Sequence, residues 1–504
     1  IALLELLVFA IAPAFTLSEK KKSLGAASTE KLSDTIKFFT SIFEERFLCY
    51  AVLISVALLS ITAAVILLRF MADKHTVNVY YSLGIKRRTL FLSRWFSGAV
   101  MLTVPPVLAV TAGFIVNLIY LKLSWQLSVA YLHIFLGMWI FSLLCFSVSA
   151  AVFSSVGTVS EGIFYSVGVL AFPSAVLLAL QNLLTAFIPA ATFKSQIRTF
   201  GTSGFFDSLT GQSLLTKFSR YNPVLFFADD LFSYSSGTVK QSQLLLADST
   251  PFTFPNFGIS LFWIPVAVII TVIGCVFFVR RNAENCGFLN TNKVLANAVL
   301  FELIMAAVAI PLTEINYYPL KELIIGSAAA AFVIYLLFEI FLKRNFKLIV
   351  KSCYKFAAHA AVIGIIIGIF SSGLFGYAKY VPDTSDVRAA AVAVPVWGSS
   401  LDVNSRSYIS TTYLINPFIR ANLQHGFSEL PEMTGENDIK EVTALHKKLV
   451  DANTDNDGAI AVLTFRYVLK NGRNESRKVF VKSEKLLRET LELCASAACK
   501  AQYE

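Results

Sequence analysis

The stretch Val79–Trp95, VYYSLGIKRRTLFLSRW, sets Lys86, Arg87, Arg88 and Arg94 among Leu83, Ile85, Leu90, Phe91 and Leu92. A bilayer span does not tolerate four cations, and a water-exposed loop has no need of five large apolar side chains. Long apolar runs flank the stretch on both sides, Phe47–Leu68 before it and Phe96–Tyr120 after it. It therefore reads as a joint between two membrane spans that touches the membrane surface and something else.

Composition agrees with that setting. Of 504 residues, 56% are hydrophobic and 15% charged, and the mean hydropathy is +0.64. A soluble domain carries about 25% charged residues, so the chain is expected to be an integral membrane protein. It begins at Ile1, already inside an apolar run. The natural N-terminus is expected to lie upstream, and without a basic region ahead of it Ile1–Phe15 is not read as a signal peptide. Seven cysteines are scattered without a CxxC pair, which gives no zinc site. A net charge of +10 is explained by membrane topology without nucleic acid.

Runs of about 20 apolar residues mark spans. Besides the two already given, they are Val129–Phe153, Ile163–Pro189, Phe257–Val279, Val294–Pro311, Leu323–Leu342 and Phe356–Tyr377. With the run at the start, nine transmembrane helices are expected. Alternate loops then fall on opposite sides. One set, Arg69–Trp95, Ser154–Gly162, Arg280–Lys293 and Lys343–Lys355, carries six, zero, three and five Lys/Arg. The other set has dispersed cations balanced by acids such as Glu30, Asp34, Glu44 and Glu45. The positive-inside rule places the first set in the cytoplasm and the tail from Lys379 outside. Gly364 and Gly368, and the run Gly326–Ala331, offer smooth faces for helix packing, and Pro105-Pro106 is expected to kink its span.

From Asp383 the composition turns soluble. Asp386–Val396 reads as a strand, and Glu436–Val450 as a helix with Ile439, Val442, Leu445 and Leu449 at helical spacing. Ala459–Leu469 and Glu475–Lys482 read as strands joined at Asn471-Gly472, and Glu484–Ala498 as a last helix. The fold class expected is an all-α polytopic membrane protein with a small C-terminal α+β soluble domain. Residues 1–378 form the membrane part, with a cytoplasmic segment 72–95 and an outer loop 190–256 lying against the outer face, and 379–504 form the extracytoplasmic domain. Asn453–Ile460 copies half of an EF-hand loop, but Thr464 stands where the bidentate Glu belongs, so a solvated turn is the better reading. Cys494 and Cys499 lie about 140° apart around the predicted helix, poorly placed to pair.

Catalytic patterns are missing. No GxxxxGK[ST], HExxH or GxSxG occurs, and His75, His133, His359, His425 and His446 stand far apart. Glu302 is an ionisable group inside an apolar run, which reads either as part of an intramembrane pathway or as a residue of a segment not fully immersed.

Read as one helix, Ser82–Arg94 places Leu83, Leu90 and Phe91 on one side and its cations around the rest. Anionic lipid headgroups alone would account for the cations. The run Asp73–Arg94 also resembles the coupling segment of type-2 ABC exporter permeases, where many Gram-positive members carry Ser-Leu-Pro-Ile-Lys-Arg followed by a Leu-Phe pair; this chain has Gly84 in place of the proline. Arg280–Gly287 resembles the Arg-x-x-Glu-x-x-Gly turn after the sixth span of that group. Gly376–Asp383, Ile439…His446 and Tyr467–Gly472…Arg477 resemble an uncharacterised extracytoplasmic domain attached to some of these permeases. The resemblance implies a multi-pass permease of the bacterial plasma membrane, not itself an enzyme, paired with a second permease copy or paralogue and with cytoplasmic ABC ATPase subunits that bind ATP and magnesium. It implies that Ser82, Leu83, Ile85, Lys86, Arg87, Arg88 and Leu90 couple to the ATPase, with Lys86, Arg87 and Arg88 meeting acids and Leu83, Ile85 and Leu90 filling a groove. The chain itself would bind no cofactor, no metal and no nucleic acid. Two other readings stand beside it: a mechanotransmitting ABC subunit acting through its outer domain, and a membrane enzyme or sensor without an ATPase.

Overall fold

A computed structural model describes residues 46–82, 84–120, 125–187, 221–233, 257–289, 291–314, 320–343, 353–372, 380–393, 435–452, 461–471, 474–481, 485–486 and 489. Ile1–Phe15, the EF-hand-like loop, the cysteines near the C-terminus, Leu83 and nearly all of the last expected helix lie outside the described residues.

The described helices are α1 (Arg46–Leu68), α2 (Lys74–Ser82), α3 (Arg87–Tyr120), α4 (Trp125–Ser155), α5 (Val159–Phe187), α6 (Pro223–Ser233), α7 (Phe257–Arg280), α8 (Lys293–Ala309), α9 (Leu320–Lys343) and α10 (Cys353–Ser371). Among the described residues, seven of them (α1, α3, α4, α5, α7, α9 and α10) are long and apolar enough to cross a bilayer. The expected span Val294–Pro311 is the 17-residue α8. The described chain is mostly helical, as a multi-pass membrane protein requires, because backbone groups in lipid must be satisfied within the segment. Leu108 of α3 and Ile269 of α7 are 54% and 59% exposed, which water would penalise and acyl chains do not.

Two compact units divide the chain, Ile1–Leu180 with Thr199–His359, and Gln181–Arg198 with Ala360–Glu504. In the first, α4 is the central helix, packed on α1, α3 and α7. At Gly274 of α7 an added Cβ would stand 3.0 Å from Ala151 Cα, so these two backbones run in van der Waals contact. The small residues singled out in the sequence are used differently: Gly326, Gly364 and Gly368 have nothing within reach of a Cβ among the described residues. Helix α3 continues through Pro105 and Pro106.

Of the long loop 190–256, residues 221–233 are described. Pro223–Ser233 forms α6, packed on α1 and α4, with Leu225, Phe226, Phe227, Ala228 and Leu231 buried. Asn222 starts it: its Oδ1 accepts from the backbone N–H of Val224 and Leu225, and its Nδ2 donates to Ser174 Oγ on α5. Phe227 meets Phe141 of α4 at 5.4 Å between ring centroids. Asp230 Oδ2 stands 3.5 Å from His133 Nε2, both buried. The hydrophobic cluster Asn222–Phe227 is therefore an anchor. Its aromatic surface goes into the bundle because that removes it from water.

In the second unit, β1 (Val387–Ala393), β2 (Ala461–Leu469) and β3 (Asn474–Val481) form an antiparallel sheet in the order β1-β2-β3. Helix α11 (Glu436–Ala452) packs on it with Ile439, Val442, Leu445 and Leu449 buried against Phe465, Tyr467, Val479 and Val481. Alternation along each strand and the i, i+3 spacing along the helix put these apolar groups on facing surfaces. His446 stacks on Phe465 at 4.5 Å and shares a 2.8 Å hydrogen bond with Tyr467 Oη. Burial pushes the Tyr467 phenol above its ordinary range.

Candidate functional site

The charged joint is not one helix from Ser82 to Arg94. Helix α2 ends at Ser82 and α3 begins at Arg87, with its first turn closed by Leu90 N–H donating to Lys86 O at 3.1 Å. Between them Gly84 takes φ +65°. An L-residue in that conformation carries a steric cost of about 1 kcal/mol, and proline, fixed near −65°, cannot adopt it. The departure from the Ser-Leu-Pro pattern thus falls where this backbone demands glycine. Gly84→Ala is expected to destabilise the turn by about 1 kcal/mol, and Gly84→Pro to open it outright. Limited proteolysis between the two helices would register both, with proline the faster cut.

Asp73 caps α2, its carboxylate accepting from the N–H of His75 at 3.4 Å and of Thr76 at 3.3 Å. The Thr76 and then the His75 hydrogen bond hold this carboxyl below its ordinary value. A depressed acid contributes stability above its unfolded-state value and loses it as pH falls through the folded one. Amide exchange in residues 74–82 should therefore rise in acid, after correction for intrinsic rates, and Asp73→Asn, a cap that does not titrate, should remove that dependence.

Two arginines tie this joint to the ends of other spans. Arg87 Nη1 donates to Val279 O and Arg281 O, both at 3.1 Å, and its guanidinium lies 4.2 Å from the Tyr81 ring centroid. Arg281 is 7% exposed. Its Nη1 donates to Phe153 O at 3.0 Å and its Nη2 to Met71 O at 2.9 Å. The carbonyls at a helix C-terminus lack intrahelical donors and carry the negative end of the dipole. A guanidinium, with five donors in a fixed fork, suits two such ends at once. Gly287, at φ +80°, donates its N–H to Gly157 O at 2.9 Å. The loops after α1, α4 and α7 thus meet at one end of the bundle, and they belong to the set that the positive-inside count groups together. Beneath them Phe278, fully buried, touches the rings of Phe70, Tyr81 and Phe91.

The coupling residues inferred from the resemblance separate into two groups. Ser82, Ile85, Lys86 and Arg88 are exposed, Ile85 at 51%, and Val79 joins them at 50%. Leu90 does not belong with them. It is buried in the bundle beside Phe91, Phe146 and Phe278, because the helix starting at Arg87 turns that face inward. Arg87 is half-buried and occupied by carbonyls of this chain. Leu83 lies outside the described residues. What remains outward is a ledge of two apolar side chains, Val79 and Ile85, two cations, Lys86 and Arg88, and Ser82.

Glu302 lies elsewhere, on α8, 4% exposed. Phe278 escaped the sequence reading, and so did the role of Arg281. Phe278 reads like its neighbour Phe277, which is 43% exposed, and a uniformly apolar helix gives no periodicity to separate them. The Arg-x-x-Glu-x-x-Gly pattern did mark Arg281 and Gly287, the staple and the turn, without giving either a role.

Scanned against models of known protein families the chain matches none, and comparison with curated proteins and with solved structures finds no similar protein.

Proposed function

We propose that the chain is the membrane-spanning subunit of an ATP-driven transporter of the ABC exporter kind, driven by separate ATPase subunits. The observation that supports it is the ledge formed by Val79, Ser82, Ile85, Lys86 and Arg88, exposed at the basic end of the bundle and fixed by Arg87 and Arg281 to the ends of three other spans. An acidic, groove-bearing cytoplasmic partner suits that mixture of charge and apolar surface. ATP and magnesium act on the partner. Closure of the ATPases pushes the ledge, and the push enters α7 through Arg87 and α1 and α4 through Arg281, besides α3 directly. In this reading the chain sits in a bacterial plasma membrane with the ledge inside, the sheet unit outside and a second permease beside it.

Purification of the chain from its native membrane tests this: a nucleotide hydrolase with a phosphate-binding loop should travel with it, and its absence would end the proposal. A second reading, a mechanotransmitting subunit that moves no solute, is favoured by the separate core that the sheet and α11 enclose. Solute flux in reconstituted vesicles tells the two apart.

A further inference from the structure

We propose that Glu302 is a proton-binding site that opens and closes with the contact between α5 and α8. This does not depend on the transporter reading. Glu302 is 4% exposed, and its Oε2 has no hydrogen-bond partner among the described residues. A Cβ added at Gly168 of α5 would stand 3.6 Å from that oxygen and 3.0 Å from the methyls of Val299. The carboxyl therefore lies against α5 at Gly168, where a Cβ would crowd Val299 and touch the carboxyl oxygen. With Oε2 enclosed this way and without a donor, the ionised carboxylate carries a desolvation penalty that the neutral acid avoids.

The titratable groups on the surrounding elements do not supply that donor. Among the described residues they are Glu161 and Tyr165 on α5, Lys321, Glu322, Tyr335, Glu339 and Lys343 on α9, and Cys353, Tyr354, Lys355 and His359 on α10. Lys343 and Lys355 are turned to Glu339, at 2.7 and 3.5 Å. Other buried polar atoms without hydrogen-bond partners among the described residues lie on neighbouring helices: Tyr165 Oη, one turn from Gly168 on α5, and His359 Nε2 on α10, whose ring lies 5.8 Å from that of Phe301. Closed, Glu302 holds the proton as a neutral acid. Open, water reaches the carboxyl, the proton leaves to water, and the remaining charge resists closure until a proton returns.

The test uses the purified full chain in lipid nanodiscs. Infrared difference spectra between acid and alkaline buffer should contain a protonated-carboxyl C=O band that persists at neutral pH and is lost in Glu302→Gln. Amide exchange in 293–309, corrected for intrinsic rates, should rise with pH in the wild-type chain and stay flat in the variant. A spectrum unchanged by Glu302→Gln, or exchange in that variant as pH-dependent as wild type, overturns the proposal. If Glu302→Gln does not fold, Glu302→Asp retains the acid but withdraws it from Gly168. A shifted band midpoint then supports the site, and an unshifted one overturns it.

Discussion

Arg281→Ala will destabilise the detergent-solubilised chain by about 3–5 kcal/mol, a figure built from two charge-assisted hydrogen bonds at about 1.5–3 kcal/mol each and the carbonyls left without donors. Phe153 O and Met71 O both rely on this guanidinium, in a pocket where Arg281 is only 7% exposed. Lysine retains the charge but concentrates it at one point, so Arg281→Lys should recover part of the loss and not all of it. The exposed neighbour Arg280 is the control, and its replacement by alanine should change stability by about 0.5 kcal/mol or less. Thermal unfolding followed by size-exclusion chromatography compares all three. Equal midpoints for Arg280→Ala and Arg281→Ala would remove the staple from the account.

The second large effect concerns association. With the proposed partner, Ile85→Asp combined with Arg88→Glu should weaken binding at least 30-fold, about 2 kcal/mol, as expected when an anchoring apolar contact and a complementary charge are both reversed. Both side chains are exposed, so the double variant should keep the wild-type unfolding midpoint. Leu90→Asp is the instructive contrast. It should also weaken binding, but by burying a charge next to Phe91 and Phe278, and its unfolding midpoint should fall with it. Titration of the ATPase onto chains held in nanodiscs measures the first effect. Unchanged affinity in the double variant would place the contact elsewhere.

Long apolar runs located the described spans but not all of their ends: Phe96–Tyr120 became Arg87–Tyr120, and Val294–Pro311 became the shorter α8. The run Phe257–Val279 became Phe257–Arg280 and Leu323–Leu342 became Leu320–Lys343, since twenty uninterrupted apolar residues leave little freedom. The strands and α11 were readable for another reason: alternation and the i, i+3 pattern each specify a face. Neither signal marks which side of a wholly apolar helix meets protein and which meets lipid, and so Phe278 and Gly274 went unnoticed while Gly364 and Gly368 drew attention. The joint misled in a different way. Helical spacing of Leu83, Leu90 and Phe91 is real, but a single glycine with positive φ divides it, and Leu90 was assigned to the outside because nothing local records where α3 begins.

Contact between the backbones of α4 and α7 at Ala151 and Gly274 has a mechanical consequence. Two rods touching main chain to main chain have no compressible layer of side chains between them, so sliding or rolling must first pry them apart. The pair is therefore expected to move as a single spine, with any shifting falling to helices cushioned by side chains. Gly274→Leu would set that spine ajar, and cysteine cross-links between its two members should leave every natural movement of the bundle intact.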